Sequence, residues 1–443
     1  MPRKQSHTHR ASSKDLLAAE GGTPVVRAAP PRSWNIGPAA IGREEIAAVT
    51  AALRSRSLFR FLNDPKDSWV SRFEELFAKK CGVPHALAVN SGTSALICGL
   101  VGLGVSQGDE VLVPAYTYIA TAAAVLALGA FPVIVEVDRS LTLDPEDMER
   151  KITPRTRAVI PVHMRGSVCD MERILEVARR HDLRVLEDCA QANGARYRGR
   201  AVGSWGDAGA FSLQQFKVIT AGEGGAIVAR DREVFERAAI YHDSAYMFWM
   251  ESYGDTEAQR RWHERSFLGE NYRMSELNGA LAYEQLKKRD RLLARTRAIK
   301  RRWRAAAATA FGAKALETCH DRAGDCGLAL TVFRDSPEEA RRVCALLKAE
   351  GVNCGTRFSK ELPDRHVYYH WDYIMEKRTP HRNGFPWTFG GERCLVDYRC
   401  DQCPQTLHWM ERAIVFPITQ MMSDAYVAQV GDALRKVGRA LKK

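Results

Sequence analysis

Lys217 stands in Asp207-Ala-Gly-Ala-Phe-Ser-Leu-Gln-Gln-Phe-Lys217-Val-Ile-Thr-Ala-Gly-Glu-Gly-Gly225, where an apolar strand runs into a glycine-rich turn. An amine set there loses hydration, so its neutral form becomes accessible near neutral pH, as a Schiff-base nucleophile requires. A lone lysine in such a place more often snorkels from the surface with its stem on the strand. Other residues favour the chemical reading. Leu186-Glu-Asp188-Cys-Ala-Gln191 ends a second apolar strand in a carboxylate. Asp188 could keep a pyridine nitrogen protonated, so that the ring accepts electrons from a carbanion, and Gln191 could donate to a ring oxygen. Taken alone, that segment also reads as a helix N-cap with a solvated glutamine.

Asn90-Ser-Gly-Thr-Ser-Ala-Leu96 turns from a strand into a helix. Gly92 permits close backbone approach, and Thr93 and Ser94 add hydroxyls beside free helix N–H groups, which makes a phosphate cradle. An ordinary Ser/Thr cap is the plainer alternative. Pro114-Ala-Tyr116-Thr-Tyr118 supplies aromatics that could stack on a flat ring, although tyrosines also serve simply as core. Phosphate grip, ring stack, pyridinium partner and imine lysine follow one another along the chain. Each is weak alone, and together they describe a pyridoxal phosphate site.

The elements that must position these residues are legible. Ala86–Asn90, Glu110–Pro114, Phe131–Val137, Ala158–Val162 and Arg184–Asp188 read as buried strands, alternating with helix-like Thr93–Leu103, Tyr118–Leu128 and Asp170–His181. That alternation predicts an α/β fold with a mainly parallel sheet, whose carboxyl edge is where ligands bind. Residues 1–33 are polar, basic and proline-bearing, and are expected to form a flexible arm. Residues 34–295 are expected to form the large domain, and 296–443 a smaller α+β domain. Within the latter, Gly327–Phe333 reads as a strand, and Ser336–Glu350 and Asp424–Leu441 as helices; residues 360–410 are aromatic and irregular.

With 443 residues, the chain is long enough for two or three domains. Its net charge of +12 is dispersed among acidic residues, which argues for solvated helix faces over nucleic-acid binding. No apolar run approaches the ~20 residues of a membrane span, and the N-terminus lacks a signal-peptide core. Eleven scattered cysteines fit reduced thiols in a cytoplasm. Cys394, Cys400, Cys403 and His408 include one C-x-x-C spacing without a second pair, so no metal is expected.

From about Gly37 onward the chain resembles the DegT/StrS-type sugar aminotransferases, pyridoxal phosphate enzymes of the aspartate aminotransferase fold (fold type I). The resemblance rests on Asn90–Leu96, Pro114–Tyr118, Glu187–Gln191, Phe211–Gly225 and Asn271-Tyr-Arg-Met-Ser-Glu276. It implies that Lys217 forms the Schiff base, Asp188 pairs with the pyridinium and Gln191 contacts the ring hydroxyl. Gly92, Thr93 and Ser212 would hold the phosphate, and Tyr118 would stack on the ring. Asn271 would reach the phosphate of a partner subunit, which implies an obligate homodimer with shared sites. Glu20-Gly-Gly-Thr-Pro24, Gln214-Gln-Phe-Lys-Val and His366-Val-Tyr-Tyr-His-Trp371 look most like cyclitol (inosose) aminotransferases of antibiotic pathways, a look that nucleoside-antibiotic enzymes share. The implied reaction moves an amino group from glutamine or glutamate to a polyhydroxylated ketone.

Where many members have an aromatic after Pro-Val-His-Leu, this chain has Pro161-Val-His163-Met-Arg165-Gly. Arg165 could grip a carboxylate or form a routine surface salt bridge, and His163 and Arg273 join it as candidate substrate contacts. Decarboxylation or oxygen-dependent oxidation on the same cofactor is an alternative. A cofactor-sensing regulator is another, though no helix-turn-helix with a basic face is evident.

Overall fold

The computed structural model describes residues 16–244, 256–389, 392–393 and 396–442. Seven strands form the central sheet: β1 (His85–Val89), β2 (Glu110–Pro114), β3 (Phe131–Val135), β4 (Thr156–Val159), β5 (Arg184–Asp188), β6 (Ala208–Ser212) and β7 (Gly225–Ala229). They lie in the order β1-β7-β6-β5-β4-β2-β3. Only β7 runs against the others, pairing antiparallel with both β1 and β6. The strands are largely apolar because both faces are covered. Leu87 and Val89 of β1 enter one core with Val111, Val113 and Leu186, while Ala86 and Ala88 enter the opposite core with Leu112, Val185 and Phe211. The fold is the expected α/β architecture of fold type I.

A second, antiparallel sheet joins Ala329–Phe333, Ala413–Pro417 and Gly355–Thr356, with the middle one of these at its centre. Helices Pro337–Ala349 and Asp424–Ala440 cover it. Each is opened by a serine side chain, Ser336 or Ser423, that accepts an N–H of the first turn.

The expected boundary at 295/296 falls inside a single 36-residue helix, Glu276–Phe311. Its first half puts Leu286 and Leu293 under the large sheet, and its second half puts Ile299, Trp303 and Ala307 into the core of the smaller one. One uninterrupted helical repeat thus serves two cores, and the sequence offers no break to mark the change.

The arm expected over 1–33 is docked from residue 16 on, which corrects that reading. Leu17 is buried in the smaller domain's core. The fully buried Glu350 carboxylate accepts the N–H groups of Ala18 (2.9 Å) and Val25 (3.0 Å) and pairs with Lys436 (2.9 Å). Residues 1–15 and Cys394 lie outside the described residues. Cys403 is buried, its thiol toward the Ile134 carbonyl (3.7 Å), while Cys400 is exposed.

Candidate active site

Lys217 leaves β6 through a turn that its own backbone closes. Its N–H donates to the Gln214 carbonyl (2.9 Å), and its carbonyl accepts from Gly37 N–H (3.1 Å). A methyl group added at Gly37 would lie 2.9 Å from the Lys217 carbonyl oxygen, so only glycine permits this approach. The lysine is half-buried, and burial lowers its pKa against the opposing charges of Asp188 and Glu223. The neutral amine is therefore favoured relative to an ordinary surface lysine.

Asp188 ends β5, 4% exposed. Burial raises its pKa. Opposing this, Ala190 N–H donates to Oδ1 (3.0 Å), Thr121 Oγ1 donates to Oδ2 (2.9 Å), and Lys217 and His163 lie within electrostatic reach. A cation opposite this carboxylate would restore its ionised form. Its neighbour Glu187 faces the other way and is fully buried. Glu187 accepts N–H groups from Gly203 (2.8 Å), Trp205 (2.6 Å) and Gly206 (2.8 Å), which ties β5 to the loop feeding β6 and so fixes Asp188 relative to Lys217.

Helix Gly92–Gly102 starts at the end of β1, with Ser91 Oγ accepting Ser94 N–H (3.0 Å). A methyl at Gly92 would stand 2.7 Å from Ser212 Cβ and 3.0 Å from its Oγ. The helix N-terminus and the end of β6 therefore meet at a glycine, and Gly92, Thr93 and Ser212 share one corner of the carboxyl edge. Gly225 repeats the device, since a Cβ there would meet the Ser91 carbonyl oxygen at 2.3 Å.

Tyr118 lies at the rim, 42% exposed, with its ring 5.2 Å from that of His366. Tyr116 is almost fully buried and hydrogen-bonds through its hydroxyl with Arg165 Nε. Gln191 Oε1 accepts Arg165 N–H (3.3 Å), which orients its amide nitrogen for donation elsewhere. Arg165 is thus no surface salt bridge. His163, expected among the substrate contacts, is instead completely buried. Its Nδ1 accepts Cys169 N–H (3.1 Å) and its Nε2 proton bonds Glu187 (3.0 Å), so it props the strand ends from beneath. His163, Glu187 and Cys189 bring potential metal ligands within 4.8 Å of one another, but these hydrogen bonds already occupy the ring and the carboxylate. Arg273 is ion-paired with the buried Asp243 and lies over Phe59 (5.4 Å), which ties up the guanidinium expected to reach substrate. Asn271 is exposed, with Oδ1 accepting Arg273 N–H (3.3 Å).

Three participants escaped the sequence reading. Glu187 was signalled by its position: two consecutive acids on a strand face opposite sides, so the one turned from the site needs its own partners. Thr121, which joins Thr117 (2.7 Å) to Asp188, reaches the site only through tertiary contacts, and Arg357 of the smaller sheet has a buried Nε without a partner among the described residues.

A buried carboxylate awaiting a cation, a half-buried amine with lowered pKa and a cradle that a single Cβ would fill suit pyridoxal phosphate. The fold and these residues place the chain among proteins of the aspartate aminotransferase type, a fold that carries pyridoxal phosphate. Residues 12–384 match the DegT/DnrJ/EryC1/StrS aminotransferase family, and the chain belongs to it. GDP-perosamine synthase of Caulobacter vibrioides is 45% identical over 227 residues, 51% of this chain and 58% of that protein. L-glutamine:2-deoxy-scyllo-inosose aminotransferase of Micromonospora echinospora is 37% identical over 287 residues, 64% and 66% of the respective chains. These matches span about half to two thirds of the curated relatives' own lengths. Among solved structures, an aminotransferase from Psychrobacter cryohalolentis superposes with TM-score 0.73 at 26% identity, covering 94% of this chain and 100% of that one. DesV of S. venezuelae superposes at 0.70 and 30% identity, covering 89% and 94%.

Proposed function

We propose that the protein is an aminotransferase that moves an amino group from glutamine or glutamate to the keto group of a cyclitol, sugar or related antibiotic precursor. The observation that carries this reading is the placing of Lys217 and Asp188 at the ends of neighbouring strands, within electrostatic reach of each other, beside the Gly92–Ser212 cradle. When bound, pyridoxal phosphate supplies a carbonyl carbon that links to amines and a ring that takes up the electron pair of a deprotonated carbon. Asp188 would hold the ring nitrogen's proton, and Gln191 would donate to the ring hydroxyl. Gly92, Thr93 and Ser212 would seat the phosphate, and Tyr118 would shield the ring. Lys217 Nζ, as a free amine beside the donor, would remove the proton from the donor's α-carbon. In the second half-reaction it would deliver a proton to the acceptor carbon.

The named relatives support both the donor and a polyhydroxylated ketone. The GDP-perosamine synthases widen the acceptor class beyond antibiotic precursors. A homodimer completes the reading, with Asn271 serving the neighbouring phosphate. Its support is the exposure of Asn271 and of large apolar side chains, including Phe216 (69%) beside Lys217 and Ile46 (64%). No helix among the described residues is long and apolar enough to cross a membrane. The ten described cysteines are free thiols, which fits a cytoplasmic location. The large domain would run to the middle of Glu276–Phe311, and the smaller would include the docked segment from residue 16.

The test is to give the purified holoenzyme one amino acid at a time without acceptor. Stoichiometric loss of the cofactor's visible band, with release of the matching 2-oxo acid, is expected for glutamine or glutamate. Carbon dioxide release or oxygen consumption in place of the 2-oxo acid would replace transamination with decarboxylation or oxidation.

A further inference from the structure

Resting on the transaminase reading, we propose that Arg165 and Arg357 together hold the α-carboxylate of the amino donor, one from the large sheet's edge and one from the smaller sheet. Arg357 follows strand Gly355–Thr356, and its Nε is buried with no hydrogen-bond partner among the described residues. A buried guanidinium N–H left without an acceptor forfeits its hydration with nothing in return, so an acceptor brought by a ligand is the natural completion. Arg165 is set by a strained turn. Its φ is +51°, and the next residue, Gly166, has φ +82° with Cys326 Cβ 2.7 Å from where its own Cβ would be. That backbone is held by Gln191, and the bond from Nε to the Tyr116 hydroxyl leaves the two Nη groups with no partner among the described residues.

The charge count also points to an anion. The two guanidiniums lie within electrostatic reach of each other: burial, then the like charge of Arg165, lowers the pKa of Arg357. Asp364 is the carboxylate that offsets them, and it is already bonded to His366 through both Nδ1 (2.8 Å) and N–H (2.9 Å). The surroundings connect this pair to the cofactor's edge of the sheet. Gln191 bonds Arg165, Tyr116 bridges to Val367, and Tyr118 packs on His366. Planar forks match a planar carboxylate. The near-complete burial of Tyr116 and of Arg357 Nε favours one small carboxylate over the diphosphate of a nucleotide-linked acceptor.

α-Methylglutamate and its α-amide separate binding from turnover, because neither has an α-hydrogen to lose. Each is titrated into holoenzyme, with the cofactor's absorbance as readout, for wild type, Arg165→Lys, Arg357→Met and Arg357→Lys. Wild type should favour the acid over the amide. Each variant should lose that preference by about tenfold or more, since neither a point charge nor a thioether reproduces the fork. Arg357→Lys keeps the charge and guards against a variant that simply misfolds. Variants that retain the wild-type preference overturn the site. If wild type shows the preference, the variants lose it, and no amino acid yields a 2-oxo acid, the carboxylate site stands and transamination falls. Selective loss of affinity for a nucleoside diphosphate, with the acid preference intact, would overturn the assignment in favour of the acceptor.

Discussion

Replacing Asp188 by Asn should separate stability from catalysis. The change conserves shape. Asn Oδ1 can keep the Ala190 N–H, and its amide can donate to Thr121 Oγ1, whose own proton then turns to Thr117 (2.7 Å away). What it removes is a buried negative charge. Burial raises the Asp188 pKa above its unfolded value, so its stabilising contribution is fully present below the unfolded pKa and is lost as pH rises through the folded one. Cofactor-free Asp188→Asn should therefore unfold at a higher temperature than wild type at neutral pH, and the gap should narrow as pH falls toward about 4, the unfolded aspartate range. With cofactor bound the sign reverses. Removing one partner of a buried ion pair costs about 3–5 kcal/mol. At about 1.4 kcal/mol per tenfold, the donor half-reaction should slow by roughly 10²–10⁴ while cofactor is retained. Thermal unfolding of both forms across pH, with stopped-flow absorbance for the half-reaction, reads both effects. A half-reaction within a few-fold of wild type would remove Asp188 from the pyridinium role.

Lys217→Ala should abolish turnover and the borohydride-reducible link to the cofactor; peptide mapping that finds the adduct on another lysine refutes the assignment. Gly92→Ala puts a methyl 2.7 Å from Ser212 Cβ, so cofactor affinity in equilibrium dialysis should fall by about tenfold or more, and unchanged affinity would show that the cradle is elsewhere. Mixed dimers of Lys217→Ala and Asn271→Ala should regain part of the activity, because one hybrid site keeps both native residues; co-purified hybrids that stay inactive would confine Asn271 to its own chain. Glu350→Ala leaves Lys436 buried without its partner and unfastens residues 18–25, so stability in urea should drop by about 3–5 kcal/mol, and a loss below 1 kcal/mol would mean that the docked segment contributes little.

The candidate site residues were readable as a group because local sequence creates their setting. Lys217, Asp188 and Gly92 each sit where an apolar run meets a turn, and the alternation of runs and helices already implied one shared edge. What escaped depends on residues far apart in the chain. Arg357 has no local signature, and its meaning comes from Arg165 across the gap between two sheets. Leu17 looks like part of a polar arm until Glu350 supplies its docking partner. His163 was misread for the complementary reason: a histidine at a strand end has the same local pattern whether it faces substrate or, as here, Cys169 and Glu187. The antiparallel direction of β7 follows from the loop 213–224, which carries Lys217 and returns the chain beside β6 with Gly225 opposite Ser212; nothing local in the sequence marks that reversal.

Lys217 and Asp188 are proposed to serve transfer of nitrogen between an amino acid and a polyhydroxylated ketone. The most direct measurement supplies glutamine labelled with heavy nitrogen at its α-amine, together with a panel of keto-cyclitols and nucleotide-linked keto-sugars, and follows products by mass spectrometry. The account predicts one heavy nitrogen in an aminated ring product and a matching yield of unlabelled 2-oxo acid. Labelled nitrogen that stays on a decarboxylated or oxidised amino-acid product, with every ketone unchanged, would contradict it.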